Sequence, residues 1–442
     1  MTLSFAYLLV CLIVGIILIV LLTTRYKVPA FFALLLSALL VGLSTQQPFV
    51  AVISTLKDGF GNILKTLGLV IVLGTTLGVL LEYTGSTAVM AGFILRRTGE
   101  KRAAWAMSMT GFIVGLPIFC DSGYIVLSGF NKNLARRSGV PIAIMSVSLA
   151  TGLLAVHCMA PPHPGITAAA GTIGVDVGRL IAYGAIVAIP AMIVGNIWAR
   201  YAGRIFKEEI AQEEVITDVV NDAPSVFKAF LPIIVPLLLI AFKSFFSVET
   251  NVGFKWLSPL LSIGDPVIAL MIGVLLAFNC KRNWTKDDMS RLLHDSIEKA
   301  GSILIIIGAG GAFGAILAAT KIGTHFSGMP DLRYLGIFFP FLLTAVLKTA
   351  QGSSTVAIIT ASSIVLPLLV SLGLDSENGK LLCVLAMGAG SMIISHTNDA
   401  YFWVIAKFSG LGIKTMLSVY TIATLFMGLT SITMVYILSK II

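Results

Sequence analysis

Residues 151–171 read T-G-L-L-A-V-H-C-M-A-P-P-H-P-G-I-T-A-A-A-G. This apolar run carries two histidines, which can hold or pass a proton near neutral pH. It also carries Pro161, Pro162 and Pro164, and proline lacks a backbone donor and blocks the preceding helical turn. In hydrocarbon every freed backbone group needs a partner, so a break is tolerated only inside protein or beside a polar cavity. The spacing therefore predicts a helix interrupted over 157–165, with His157 and His163 at a binding site. A second interruption is expected at 396–399, where M-I-I-S-H-T-N-D ends in His396, Thr397, Asn398 and Asp399. His157 and His396 are 239 residues apart, and each lies 14 residues before a glycine, Gly171 or Gly410.

Two small-polar clusters divide other apolar stretches: Cys120-Asp121-Ser122-Gly123 within 104–138, and Gln351-Gly352-Ser353-Ser354 within 334–368. Each stretch is too long for one crossing, so both read as re-entrant hairpins that turn at the cluster. The second half-helix of each is expected to begin near Ser122-Gly123 and near Gly352-Ser353-Ser354-Thr355. The first N–H groups of a helix lack intrahelical partners and sit at its positive end, which makes an anion site suited to a carboxylate. Hydroxyls and amides of Ser122, Gln351, Ser353, Ser354, Thr355, Thr397 and Asn398 suit the hydroxyls of a polyol acid. No Arg or Lys cluster accompanies them, which weighs against phosphate esters and dicarboxylates. The expected substrate is a monovalent hydroxycarboxylate.

A carboxylate at the bilayer centre costs about 2.5–3.5 kcal/mol on insertion scales and so usually has a role. Asp121 and Asp399 are the candidates for binding substrate or carrying a coupling proton, with His157 as the fallback carrier. Plainer readings stand beside these: Asp399 as a helix cap, His157 and His396 as satisfied core histidines. Glu82, Lys348 and Lys407 read as span-end or interface charges.

The elements that must position these groups follow from composition. Of 442 residues 57% are hydrophobic and 12% charged, with mean hydropathy +0.97, so the chain is expected to be an all-α polytopic membrane protein. Spans are predicted at 3–22, 28–46, 62–82, 140–162, 178–200, 229–246, 265–280, 300–320, 380–404 and 415–438, beside the two hairpins. The first span has no basic residue before it but Arg25 and Lys27 after it, which points to an uncleaved span with its N-terminus outside. Traced from there, 20 Lys and Arg residues fall on the cytoplasmic side and 9 on the other, with Lys348 inside the second hairpin. That bias accounts for the net charge of +9 without nucleic acid. The five cysteines lack ligand spacing, so neither a disulfide framework nor a metal site is expected, and no cofactor.

The chain repeats weakly. L-K-D at 56–58 pairs with L-H-D at 293–295, G-T-T-L-G at 74–78 with G-G-A-F-G at 310–314, and tip with tip. Two inverted-topology repeats are expected, 1–206 and 229–442, joined by an acidic cytoplasmic linker at 207–228. Each would hold about five transmembrane helices and one re-entrant hairpin, with broken helices near the midplane, as in secondary transporters. All four polar breaks fall in 104–165 and 334–404. These are expected to move as one body against 3–82 and 229–320, leaving 104–206 and 334–442 as the transport parts.

With P-I-F-C-D-S-G-Y, H-C-M-A-P-P-H-P-G and A-Q-G-S-S-T-V-A in hand, the chain resembles the gluconate permease (GntP) family of the ion-transporter superfamily over nearly its whole length. The resemblance implies a homodimer of scaffold and mobile transport domains in a bacterial-type inner membrane. It also implies proton-coupled uptake of a sugar acid such as gluconate. It places the family's first tip on Cys120 to Tyr124, its histidine-proline break on His157 to Gly165 and its second tip on Ala350 to Thr355. Gluconate-type members more often have Glu-Val near the first tip, where this chain has Asp121-Ser122. D-Serine transport also occurs in the family, and glycerate or hydroxybutyrate are further alternatives.

Other classes fit less well. An intramembrane hydrolase using Ser122 and His157 lacks a G-x-S-x-G elbow. A metal site from His157, Cys158 and His163 lacks a fourth ligand. A channel has no need of paired broken helices.

Overall fold

The computed structural model describes residues 5–99, 102–206, 223–249, 262–281, 283–320, 331–397 and 399–442. Asn398 and most of the 207–228 linker lie outside the described residues. Apolar runs with few breakers fold into helices throughout. Among the described residues six segments are long and apolar enough to cross a bilayer, one of them continuing through a break. The protein is an all-α polytopic membrane protein.

In the first half, α1 (Phe5–Thr24) pairs with α2 (Ala30–Ser44), and α3 (Phe49–Tyr83) follows. A short α4 (Ser86–Thr98) leads to the hairpin of α5 (Ala103–Gly115) and α6 (Cys120–Ser138). The interrupted helix α7 (Ile142–Met159) and α8 (Pro164–Ile173) comes next, then α9 (Val177–Ala202). The second half runs α10 (Val226–Glu249), α11 (Pro266–Phe278), α12 (Lys286–Ala319) and the single turn α13 (Asp331–Leu335). Its hairpin is α14 (Phe338–Gln351) with α15 (Ser354–Val365), and its interrupted helix is α16 (Glu377–Met392) with α17 (Ala400–Ser409). The last helix, α18 (Ile413–Leu438), contains a π-helical stretch over Met416–Thr421.

Three features differ from the sequence expectation. The helices α3 and α12 start at Phe49 and Lys286, not near 62 and 300. Hydropathy discards the charged segments around Lys57-Asp58 and Lys286–Lys299, yet helix continues through them. At Thr285 a capping box with Asp288 starts α12 well before its apolar part. Finally, α4 was not anticipated; it ends in Arg96 and Arg97, favourable at a helix C-terminus.

The long helices α3 and α12 pack along each other. A Cβ on Gly59 would lie 2.6 Å from the Gly311 carbonyl oxygen, and one on Gly311 2.7 Å from the Gly59 oxygen. Only glycine lets two backbones approach so closely. Outside this pair, α2 lies on α12 and α11 on α3.

A second group packs around the two interrupted helices. α7 meets α5, α6 and α9, while α16 meets α14, α15 and α18. The Asn196 amide donates to the Ala104 carbonyl at 3.0 Å, Ser108 Oγ at 2.7 Å and Ser148 Oγ at 3.0 Å, tying α9 to α5 and α7. α7 and α16 are buried nearly all round, whereas α1, α9 and α10 expose Ile17, Ile189 and Leu238. Those outward apolar faces suit lipid.

Candidate functional site

Each break is built from its own residues. α7 stops where Ala160 turns extended ahead of Pro161 and Pro162, and α8 restarts with His163 as N-cap and Pro164 at its first position. α16 stops at Ile393, and α17 restarts on Asp399, whose Oδ1 accepts the Tyr401 N–H at 3.0 Å. At the first tip α6 begins at Cys120, two residues earlier than expected, with Asp121 in its first turn. At the second tip Gly352 takes φ 81°, the left-handed conformation that ends α14, and Ser353 caps α15 by accepting the Val356 N–H at 3.3 Å.

The histidine pairing read from the sequence is not a structural equivalence. His157 is still helical in the last turn of α7, while His396 lies in the loop before α17. His163 and Asp399 are both N-caps, and Gly174 and Gly410 are both left-handed C-caps.

These four half-helix N-termini surround one cavity of about 450 Å³. Asp121 reaches it from the first tip and His157 and Pro164 from the first interruption. Gln351, Gly352, Ser353, Ser354 and Thr355 come from the second tip, Asp399 and Tyr401 from the second interruption. Ile303 and Ile306 of α12 close one side. Other expected residues lie elsewhere. Ser122 lies against the Glu82 carboxylate, which pairs with Lys299 at 3.5 Å, so it is not brought to His157. The Cβ position of Gly123 faces Leu153 of α7. His396 Nε2 is 3.1 Å from the Thr349 carbonyl, and Thr397 is exposed; neither lines the cavity. A separate crevice between the first tip and α3, α10 and α11 is apolar throughout, around Leu77, Pro117 and Ile233, with nothing to orient an acid.

The sequence reading missed Lys348. It is no interface charge: its side chain is 1% exposed, with Nζ 2.5 Å from Asp399 Oδ2 and 2.6 Å from the Gly352 carbonyl. Ser395 Oγ donates to the same Asp399 oxygen. The available signal was a lysine one turn before the helix-ending Gly352, where an ammonium can reach the last carbonyls. Asp399 is thus both a cap and half of a buried ion pair. Asp121 makes no ion pair among the described residues; Cys120 Sγ lies 3.9 Å from its Oδ1.

Two further details bear on recognition. Neither Oε1 nor Nε2 of Gln351 has a partner among the described residues although both are buried, and the residue stands on the cavity wall. Behind the wall, His163 is 2% exposed, its Nδ1 lies 3.3 Å from His157 Nδ1, and its Nε2 lies 2.7 Å from the Gly115 carbonyl.

The sequence profile of the GntP family permeases matches residues 7–441. The chain belongs to that family. This GntP permease is 33% identical to a gluconate permease of Pseudomonas aeruginosa, over 99% of this chain and 98% of the relative. It is also 33% identical to a high-affinity gluconate transporter of Escherichia coli, over 92% and 93%. The solved YdaH transporter of Alcanivorax borkumensis shares its fold, with a TM-score of 0.62 over 88% of each chain at 16% identity. Family and fold are those of secondary transporters, not of enzymes.

Proposed function

We propose that this GntP permease carries a small monovalent hydroxycarboxylate, gluconate-like, into the cytoplasm together with one proton. The observation that carries the reading is an asymmetry among the four N-termini. α8 and α15 meet so closely that a Cβ on Gly165 would lie 2.9 Å from Thr355 Cα, and neither has an acidic residue in its first turn. α6 and α17 each bring a carboxylate of their own, Asp121 and Asp399. The substrate carboxylate therefore belongs at Ser353, Ser354 and Thr355, where helix-end N–H groups meet no protein anion. The unpartnered Gln351 amide offers one donor side and one acceptor, which matches a hydroxyl.

Proton coupling follows from charge. Lys348 neutralises Asp399, so an entering anion shares the cavity with one unpaired carboxylate, Asp121. A nearby like charge favours the protonated form, so anion and proton bind together. One anion with one proton moves no net charge, and one pH unit then supplies about 1.4 kcal/mol, a tenfold accumulation.

The packing supports two inverted repeats, because the partners exchange: α2 on α12 matches α11 on α3, and α8 on α15 matches α17 on α6. On that basis 104–206 and 334–442 form the transport part, and 3–82 with 229–320 the scaffold. The residues assigned to substrate are Asp121, His157, Gln351, Gly352, Ser353, Ser354 and Thr355. A homodimer in a bacterial-type inner membrane is part of the same proposal.

Purified protein in vesicles with an imposed inward pH gradient should concentrate labelled gluconate or another small hydroxycarboxylate. Uptake of citrate or a sugar phosphate in preference would overturn the substrate class. A second reading rests on the same unpaired Asp121: a zwitterionic hydroxy amino acid such as D-serine could place its ammonium there and need no proton. Accumulation of such a substrate without a pH dependence would favour it.

A further inference from the structure

The contacts of His157 and His163 fix where their protons lie. The Gly115 carbonyl at the end of α5 is one of the helix-end acceptors with no intrahelical donor, and a carbonyl can only accept. His163 Nε2, 2.7 Å away, therefore carries a hydrogen. In the neutral ring its Nδ1 is then bare. His157 Nδ1, 3.3 Å from that bare nitrogen, must in turn donate. The remaining polar atom of His157, Nε2, is left without a hydrogen, and His157 lines the cavity.

We propose that His163 is a positioning residue that holds His157 in its Nδ1–H form. His157 then offers a bare Nε2 to the cavity and selects for a hydroxyl donor on the substrate. This rests on the cavity being the acid's site and adds to it a named specificity element. An acceptor-only nitrogen beside the two-faced Gln351 amide discriminates between a hydroxyl, which donates, and a hydrogen or ether at the same carbon. A site built to bond a hydroxyl penalises its absence heavily, because the protein group is then left unpaired. The arrangement also ties the first interruption to the first hairpin, since the Gly115 carbonyl at the end of α5 sets the state of a ring on α7.

The carboxamide O=C–N matches the imidazole N=C–N in the spacing of its two polar atoms. His163→Gln can thus donate to Gly115 and accept from His157 without titrating, whereas His163→Leu can do neither. Displacement of labelled gluconate by each monodeoxygluconate, on purified protein in vesicles, reads the effect. One monodeoxy analogue should bind the wild type about tenfold or more weakly than gluconate, a loss typical of one buried unpaired group. His163→Gln should keep that penalty, and His163→Leu, which frees the His157 ring to turn and to change tautomer, should reduce it while leaving the other analogues in order. An undiminished penalty in His163→Leu, or its loss in His163→Gln, overturns the assignment. Wild-type protein that binds gluconate with no monodeoxy penalty overturns this inference alone; wild-type protein that binds no hydroxycarboxylate overturns the substrate reading beneath it. If His163→Leu does not fold, ¹⁵N-histidine spectra of the wild type decide. The signal lost in His157→Gln should show a protonated Nδ1 and bare Nε2, and the opposite tautomer overturns the proposal.

Discussion

Asp121 and Asp399 share a cavity wall but not a fate, because among the described residues only Asp399 is ion-paired. Asp121→Asn mimics the protonated acid and should bind substrate and exchange internal for external substrate, while losing pH-driven accumulation. Counterflow and gradient-driven uptake in the same vesicles check this; wild-type accumulation by the variant would remove Asp121 from the coupling step. His157→Gln should still accumulate substrate, since on this account His157 reads a hydroxyl and carries no obligatory proton. The ion pair makes a separate prediction. Removing one partner of a buried pair strands the other charge and costs about 3–5 kcal/mol. Lys348→Met and Asp399→Asn should each lower thermal stability sharply, and the double variant should lose much less than their sum. Additive losses in a thermal-unfolding series would show that the pair is not coupled.

At the scale of elements, hairpins and interruptions were legible because proline, glycine and small polar residues have local consequences inside apolar runs. Pro161, Pro162 and Pro164 had to break a helix, and Gln351-Gly352-Ser353 had to turn one. What was not legible depended on long-range partners. Lys348 looks like a charge seeking the interface until α17 brings Asp399 to it, and Ser122 looks like a binding residue until α3 brings Glu82 to it. His157 and His396 were matched by residue type, whereas the N-cap positions of the two restarting helices belong to His163 and Asp399. The α3 and α12 crossing tests how strictly packing fixes an element. Gly59→Val and Gly311→Val each put a branched side chain against a backbone carbonyl, and overpacking of this kind costs about 1–3 kcal/mol. Both should lower the unfolding midpoint of purified protein, and the pair should be less than additive since one contact is lost once. Unchanged midpoints would mean that the helices separate without cost.

For the whole molecule, the two proposed repeats sit differently on their long helices, and that difference gives the proposed movement a direction and a size. On α12, Ile359 of the second hairpin packs against Gly310, and Ser363 Oγ donates to the Gly310 carbonyl at 2.7 Å. Ile125 is the sixth residue of α6 as Ile359 is of α15, and Gly74 opens G-T-T-L-G as Gly310 opens G-G-A-F-G. Yet Ile125 is 40% exposed, and Gly74 faces Pro162 instead. The first tip lies further along α3, with Pro117 on Gly78 and Ser122 near Glu82. That end of α3 carries Tyr83, stacked on Trp284 beside Lys281, on the side where basic residues gather. In the proposed elevator cycle this is the inward-displaced position, and exchanging the roles of the repeats yields the outward one. Bringing Ile125 from the level of Glu82 up to Gly74 shifts the hairpin by about 8 residues of α3, roughly 12 Å at 1.5 Å per residue. A Gly74→Cys/Ile125→Cys pair, with native cysteines replaced, should therefore cross-link only in the outward state, whereas Gly310→Cys/Ile359→Cys should cross-link in the inward one. Either bond should stop uptake, and reduction should restore it. If the Gly74–Ile125 pair never links in membranes where the unlinked variant transports, the two repeats do not exchange roles, and the movement proposed here is wrong.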